Sequence, residues 1–297
     1  MTAHRRFWMP WRSQKRSRTS QRIDDNDGDG IATDEVAMSS RISGKALSQC
    51  QYMLPALFTA LGENADLKIL DVGCGFGAIA IELSQLVSGA QVTGIDISGA
   101  ALESAKVQAE KLGVHHIKFM KADACDLPFE ACTFDVVHTH QAVAHFGDPV
   151  KAIREMKRIT KKGGMICMRE GDLRTGKFGS GYPQLDECFQ IILELHRTGG
   201  GAVDAGRRLK DWSVKAGVPR SGIVETHSAW TCDTLEGRKA YGGYWPARCR
   251  QGVFANMARD LGVTSERLEE YALAWSRWIQ DPDASFTMMH GKTIGTV

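Results

Sequence analysis

The stretch that decides the fold is KILDVGCGFGAIAIEL, residues 68–83. It opens with a short apolar run typical of a buried β-strand, passes through glycines at 73, 75 and 77, and continues with apolar residues at helical spacing. Glycine permits a sharp turn and a close approach of ligand to main chain, and the next helix offers free N–H groups at its positive end. The stretch therefore predicts a strand, a ligand-binding turn and a helix.

Working outward, short apolar runs alternate with amphipathic helical stretches from residue 68 to residue 170. The runs are Ile69 to Val72, Val92 to Asp96, Ile117 to Met120, Phe134 to His138 and Met165 to Met168. This alternation predicts an α/β fold with a parallel, doubly wound sheet. In such sheets a ligand binds at the carboxyl ends of the strands, so the polar residues there are the candidate site.

An acidic residue lies at or just after the end of each of the first three runs. Asp96 closes the second run, where a carboxylate can accept both hydroxyls of a ribose. That position suits a nicotinamide dinucleotide as well as an adenosyl cofactor, and Gly73, Gly75 and Ala78 also satisfy a dinucleotide fingerprint. Asp71 just before the glycines and Asp123 after the third run favour the adenosyl ligand, because they can bind an ammonium group and the adenine amine.

These motifs together resemble the class I methyltransferases, in particular those related to the ubiquinone and menaquinone biosynthesis enzymes. The matching segments are Leu70 to Gly77, Gly94 to Ser98, Asp123 to Phe129, Phe134 to Val137 and Lys162 to Gly164. The resemblance implies a Rossmann-like, seven-stranded fold and S-adenosyl-L-methionine as cofactor. The cofactor-binding residues expected from it are Asp71, Gly73, Cys74, Gly75, Gly77, Asp96, Ile97, Asp123, Ala124, His140 and Gln141.

A closer likeness involves segments farther along the chain. Thr139 to His145, Arg169-Glu170, Ala205 to Leu209 and His290-Gly291 look like a microbial and fungal subgroup of natural-product methyltransferases, which includes dithiol S-methyltransferases. This likeness implies a small, apolar or aromatic metabolite as acceptor, with a thiol or hydroxyl favoured. His140 and His145 after the fourth strand are the candidate catalytic residues. The alternative for each histidine is a contact with the cofactor or a structural role.

Three segments are expected: a basic, then acidic, disordered tail over 1–40, a cofactor-binding core over 41–170, and an acceptor-side helical lid with the last strands over 171–297. The lid contains several aromatic residues, and aromatic walls suit a flat acceptor and exclude water. The candidate substrate-binding residues are Tyr182, Arg207, Trp245, Trp275 and His290. The alternative is that the aromatic rings are core residues and that Arg207 binds a neighbouring carboxylate.

Charge and composition exclude other classes of function. The net charge is +2, but the first 23 residues carry seven Arg or Lys and no acid, which leaves a mildly acidic body and argues against nucleic acid as a partner. Eight cysteines without a C-x-x-C pair predict reduced thiols and no metal site. No apolar run is long enough for a membrane span. We expect a cytoplasmic protein, or a mitochondrial one if the tail is a transit peptide.

Two other interpretations stay open at the level of sequence. The first is an NAD(P)-dependent oxidoreductase on the same type of sheet. The second is a regulatory protein that keeps the methyltransferase fold without turnover, because fold alone does not guarantee activity. The number of protein subunits and the identity of the small-molecule acceptor are not predicted by any motif.

Overall fold

Strands and helices alternate along the chain in the computed structural model, which describes residues 50–61, 66–87, 89–179 and 181–297. The proposed tail and the expected domain start near residue 40 lie outside the described residues. The first elements are α1 (Leu54–Leu61), β1 (Lys68–Val72), α2 (Ala78–Leu86), β2 (Gln91–Asp96), α3 (Gly99–Lys111), β3 (Lys118–Lys121) and β4 (Phe134–His140). A 3-10 helix (Val143–His145), α4 (Pro149–Ile159) and β5 (Thr160–Phe178) follow.

The second half adds helices and two strands. They are α5 (Pro183–Thr198), α6 (Ala205–Lys215), β6 (Ile223–Cys232), α7 (Leu235–Gly242), α8 (Trp245–Arg250), α9 (Gly252–Asp260), α10 (Ser265–Gln280) and β7 (Phe286–Thr296). The α10 helix begins after Thr264, whose side chain accepts a hydrogen bond from the Arg267 main-chain N–H. It ends at Gln280, two residues before Pro282.

The strands form one seven-stranded sheet in the order β3-β2-β1-β4-β5-β7-β6. This confirms the predicted seven-stranded, doubly wound α/β fold. The five strands of the alternating stretch, β1 to β5, are parallel as predicted, whereas β7, whose direction was not predicted, pairs antiparallel with both β5 and β6. The direction of a strand leaves no mark on its hydrophobic pattern, so the sequence could not show this reversal.

β1 is buried because helices cover both faces of the sheet, and a strand buried on two faces is a continuous apolar run. On one face, Cys50, Met53 and Leu57 pack over Ile69. On the other face, Ile153 of α4 and Leu209 of α6 pack over Leu70. The sheet therefore holds its carboxyl edge, where the glycine turn lies, between two rigid layers.

β5 is much longer than its apolar run. The sequence predicted a strand over Met165 to Met168, whereas β5 continues to Phe178, with a register shift against β7 between Asp172 and Lys177. Polar residues interrupt the apolar pattern of its second half, which hides the strand from a periodicity argument. The expected segment boundary at residue 170 thus falls inside β5.

A second core, built from aromatic rings, lies among the helices that follow β5. Phe178 packs edge-on against Trp275 and Trp278, with ring centroids 5.3 and 5.6 Å apart. Trp245 stacks on Trp275 at 5.6 Å. This core joins α8 and α10 to the far end of β5, so these helices are held to the sheet by apolar packing.

Two glycines allow α6 to lie directly on the sheet. A Cβ atom placed on Gly291 of β7 would stand 1.7 Å from the Gly206 carbonyl oxygen, and a Cβ on Gly206 would stand 2.6 Å from the Glu170 carbonyl oxygen. Neither clash can be relieved by a side-chain rotation, because the opposing atoms belong to the main chain. The helix and the strands are therefore in backbone contact.

The 3-10 helix is fixed to α5 by two histidines. The rings of His145 and His196 meet edge to face with centroids 5.0 Å apart. Burial lowers the pKa of His145 to about 4 and that of His196 to about 3. The neighbouring His145 lowers the pKa of His196 further. The folded chain therefore keeps both rings neutral at pH 7.

We expect Gly291→Ala to lower the free energy of unfolding by at least about 3 kcal/mol, because α6 must move away from β7 to admit the methyl group. Urea denaturation measures this loss. Gly99→Ala is the matched control, since a Cβ there meets nothing within 4 Å and lies at the start of α3. Equal stability of the two variants would contradict the described contact.

The histidine pair predicts a loss of stability in acid. In the folded chain both pKa values lie below the ordinary value of 6.5, so protonation of either ring favours unfolding. The free energy of unfolding is therefore highest above pH 6.5 and falls as the pH is lowered towards 4, by up to about 3 kcal/mol for His145. In thermal unfolding between these pH values, His145→Phe should lose less stability than the wild type. His115→Phe, at an exposed position, should keep the wild-type slope. Identical slopes for all three proteins would refute the prediction.

Candidate functional site

The glycine turn after β1 is packed on two sides and open at its centre. Gly73 and Gly77 have φ angles of 72° and 79°, in the left-handed region that favours glycine. A Cβ on Gly73 would stand 2.5 Å from the Ala142 Cβ, and one on Gly77 would stand 2.8 Å from the Phe119 ring. A Cβ on Gly75 would meet nothing within 4 Å. The turn thus offers a bare stretch of backbone to a ligand.

Asp96 connects this turn to the end of β2. Its Oδ2 accepts the Gly75 N–H at 3.0 Å, and its Oδ1 accepts the Ser98 N–H at 2.8 Å. Each carboxylate oxygen has a further lone pair, so the group can also accept ligand hydroxyls. The expected ribose-binding carboxylate therefore stands beside the open glycine.

Asp71 has a partner that the sequence did not reveal. Its Oδ1 lies 2.8 Å from Nδ1 of His138, and both side chains are almost fully buried. Strand pairing places Asp71 on β1 opposite His138 on β4. The pair orients the Asp71 carboxylate below the turn. A His at the centre of an apolar strand run gives no signal of this role, because the contact depends on strand order.

The remaining residues expected to bind the cofactor surround the same edge. Asp123 is exposed, and its Oδ1 accepts the Cys125 N–H at 2.8 Å. Cys74 lies against Gly94 of β2, where a Cβ would stand 2.9 Å from its Sγ. Burial raises the pKa of the Cys74 thiol. Ile97 is half-buried and Ala124 is buried, so both can contribute apolar surface next to Asp96 and Asp123.

The end of β4 carries a polar network with β5 and β7. Nη1 of Arg169 lies 3.2 Å from Nε2 of His140. The same Nη1 lies 3.5 Å from Nδ1, so the guanidinium, which only donates, stands beside both ring nitrogens. Gln141 has a φ of 50° and its Nε2 lies 3.0 Å from Nε2 of His290. Burial, together with the charges of Arg169 and Lys292, lowers the pKa of His290 to about 3.

The structure separates the two candidate catalytic histidines. His140 is at the end of β4 in this network, whereas His145 packs on His196 of α5. The 3-10 helix that carries His145 is held by Glu170, whose Oε2 accepts the Ala144 N–H at 3.1 Å. Burial raises the pKa of Glu170 to about 7. Geometry thus favours His140 over His145 as a residue near the reacting atoms.

The expected substrate-binding residues do not gather in one place. Trp245 and Trp275 are buried in the second, aromatic core, the Tyr182 hydroxyl donates to Asp281 at 2.6 Å, and Arg207 forms an ion pair with the buried Asp172. His290 is the one of these five that lies in the network at the end of β4. Arg169, which has no place among the expected site residues, is at the centre of that network.

The described part of the chain contains no group of three or more His, Cys, Asp or Glu side chains arranged to hold a metal ion. Within the same residues, no helix combines the length and the apolar character that crossing a membrane requires. The described cysteines are all free thiols.

Comparison with known proteins identifies the family. A methyltransferase domain family matches residues 63–190. An uncharacterized methyltransferase of Schizosaccharomyces pombe is 31% identical over 242 residues, covering 76% of this chain and 83% of the relative. The ubiquinone/menaquinone biosynthesis C-methyltransferase UbiE of Bdellovibrio bacteriovorus is 35% identical over 122 residues, which is 41% of this chain and 52% of that relative.

A solved structure shows the same fold. The YcgJ protein from Bacillus subtilis superimposes with a TM-score of 0.50 at 19% identity, covering 82% of this chain and 97% of that one. These matches favour the methyltransferase interpretation over the nicotinamide-dependent one. The chain belongs to the S-adenosylmethionine-dependent methyltransferase family and has its class I, Rossmann-like fold.

Proposed function

We propose that this chain transfers a methyl group from S-adenosyl-L-methionine to a small, apolar or aromatic metabolite, with a thiol or hydroxyl as the favoured acceptor. The observation that carries the proposal is the open backbone at Gly75, next to the carboxylate of Asp96. A packed turn with one bare residue is what an enzyme needs to hold a cofactor against its main chain.

The residues around the turn fit this cofactor. Asp96 would accept the ribose hydroxyls, Asp123 would accept the adenine amine, and the glycine turn with Asp71 would hold the amino acid part. The cofactor brings an activated methyl group on a sulfonium, so the protein needs to align the acceptor and exclude water. The roles of Cys74, Ile97, Ala124 and Gln141 are contacts in the same cleft.

Deprotonation of the acceptor is the step for which a side chain is needed, and only where the acceptor is not already ionised. His140 is the candidate base because it lies at the end of β4, next to the turn. Nη1 of Arg169 lies within 3.5 Å of both nitrogens of its ring. A base role for His140 therefore requires Arg169 to turn away from the ring, so that one ring nitrogen can take the proton of the acceptor.

The proposal predicts that the chain binds S-adenosylhomocysteine, the demethylated product of the cofactor. Asp96→Ala should weaken this binding about 10- to 100-fold, because hydrogen bonds to a charged acceptor contribute about 1.5–3 kcal/mol. Isothermal titration calorimetry measures both constants.

The control is Asp211→Ala, an exposed position on α6 whose carboxylate pairs with Lys215. It should bind S-adenosylhomocysteine as the wild type does. Thermal unfolding of Asp96→Ala checks that its loss of binding is local, since Asp96 also accepts two main-chain N–H groups. Wild-type chain that does not bind the ligand, or Asp96→Ala that binds it equally well, would refute the proposal.

Turnover distinguishes an enzyme from a regulatory protein with the same fold. Incubation with S-adenosyl-L-methionine and a metabolite extract should yield a product heavier than its precursor by one CH2 group, detected by mass spectrometry. Binding without any such product would favour the regulatory role.

A further inference from the structure

A row of basic side chains crosses the sheet next to the candidate site. Strand pairing places His140 of β4 opposite Arg169 of β5, and Arg169 opposite Lys292 of β7. Side chains of directly paired residues point to the same face of a sheet. The row therefore lies on one face of the sheet. Tyr52 covers the same face, since its ring packs near that of His138 on β4, with ring centroids 6.5 Å apart.

The two cations of this row have no acid to pair with in the described part of the chain. Arg169 is only 7% exposed, and its Nε is buried without a hydrogen-bond partner. Lys292, half-buried beside it, makes no ion pair there. Glu170 follows Arg169 in sequence but points to the opposite face, where main-chain N–H groups of Ala144 and Gly171 donate to it. Asp71 is engaged by His138.

Two adjacent cations on a partly buried face repel each other, and an unpaired buried charge is costly. The pKa of Lys292 reflects this repulsion, because burial and the charge of Arg169 both lower it. An anion placed between the two side chains would remove both costs. An arginine fork matches the two oxygens of a carboxylate, and the lysine supplies a second charge.

The position of the row indicates which molecule brings the anion. The glycine turn belongs to β1, and neighbouring strands are about 4.8 Å apart. Arg169 is two strands from β1 and Lys292 is three, so the cations extend away from the cofactor end. They lie towards β7, which also carries His290.

We propose that Arg169 and Lys292 bind a carboxylate of the methyl acceptor, so that the acceptor is an apolar or aromatic acid. This inference rests on the proposed function and gives it a narrower class of substrate. The cations that bind the acceptor's carboxylate are then on β5 and β7. Arg207 does not serve this purpose, because its guanidinium is paired with Asp172.

The test compares an acid with its neutral amide. Chain saturated with S-adenosylhomocysteine is titrated with 4-hydroxybenzoate and with 4-hydroxybenzamide, two probes that differ only in the charged group. The acid should bind at least about tenfold more tightly to the wild type. Arg169→Met and Lys292→Met should each reduce the preference to within about twofold, with unchanged affinity for S-adenosylhomocysteine.

Two variants are used because they differ in their risk of misfolding. Arg169 is buried, whereas Lys292 is half-buried and its replacement leaves the sheet pairing in place. Lys215→Met is the matched control, since Lys215 is exposed on α6 and pairs with Asp211. It should keep the full preference for the acid.

Equal binding of acid and amide to the wild type, or binding of neither, would overturn the inference. So would a parallel loss of S-adenosylhomocysteine affinity in Arg169→Met and Lys292→Met, because the pair would then hold the cofactor's own carboxylate. Failure of the proposed function is a separate result, because the wild-type chain would then not bind S-adenosylhomocysteine. The preference for the acid over the amide can still be measured without S-adenosylhomocysteine, and it would still show whether Arg169 and Lys292 bind a carboxylate.

Discussion

The close packing of the glycine turn fixes the geometry of the whole carboxyl edge. Gly73 touches Ala142 after β4, and Gly77 touches Phe119 of β3, with no room at either place for a methyl group. Asp96 then ties Gly75 to the end of β2 through a main-chain hydrogen bond. The ends of β1, β2, β3 and β4 are thereby held together by close packing of Ala142 and Phe119 on the turn and by the Asp96 carboxylate. A ligand meets a site that is organised before it arrives.

The fold could be predicted from the sequence because buried strands and amphipathic helices have distinct periods. Apolar runs located β1, β2 and β4 closely. The second half of β5 and the direction of β7 could not be predicted, since polar residues break the pattern of the one and no pattern encodes the other. Local sequence shows which face a residue occupies but not which strand lies beside it.

The candidate site, too, could be predicted from the sequence only in part. Glycines and strand-end carboxylates have local signatures, and the structure brings Asp71, Asp96 and the turn together. His138 and Arg169 act through neighbours on other strands, so spacing along the chain gave no sign of them. Scattered segments that resembled one methyltransferase subgroup, around Glu170, Gly206 and Gly291, are in direct contact in the fold. Their common feature is one packing arrangement of α6 on the sheet.

The position of β7 between β5 and β6 has a consequence for how the chain is made. β6 joins the sheet through β7, and the main chain of Val297 bonds to Gly163 and Gly164 at the start of β5. During synthesis on the ribosome, β1 to β4 can assemble early, while β6 must wait for a neighbour that is translated more than fifty residues later. The first four strands can therefore pack before the last two strands pair, and the nascent chain passes through a stage with an unpaired β6.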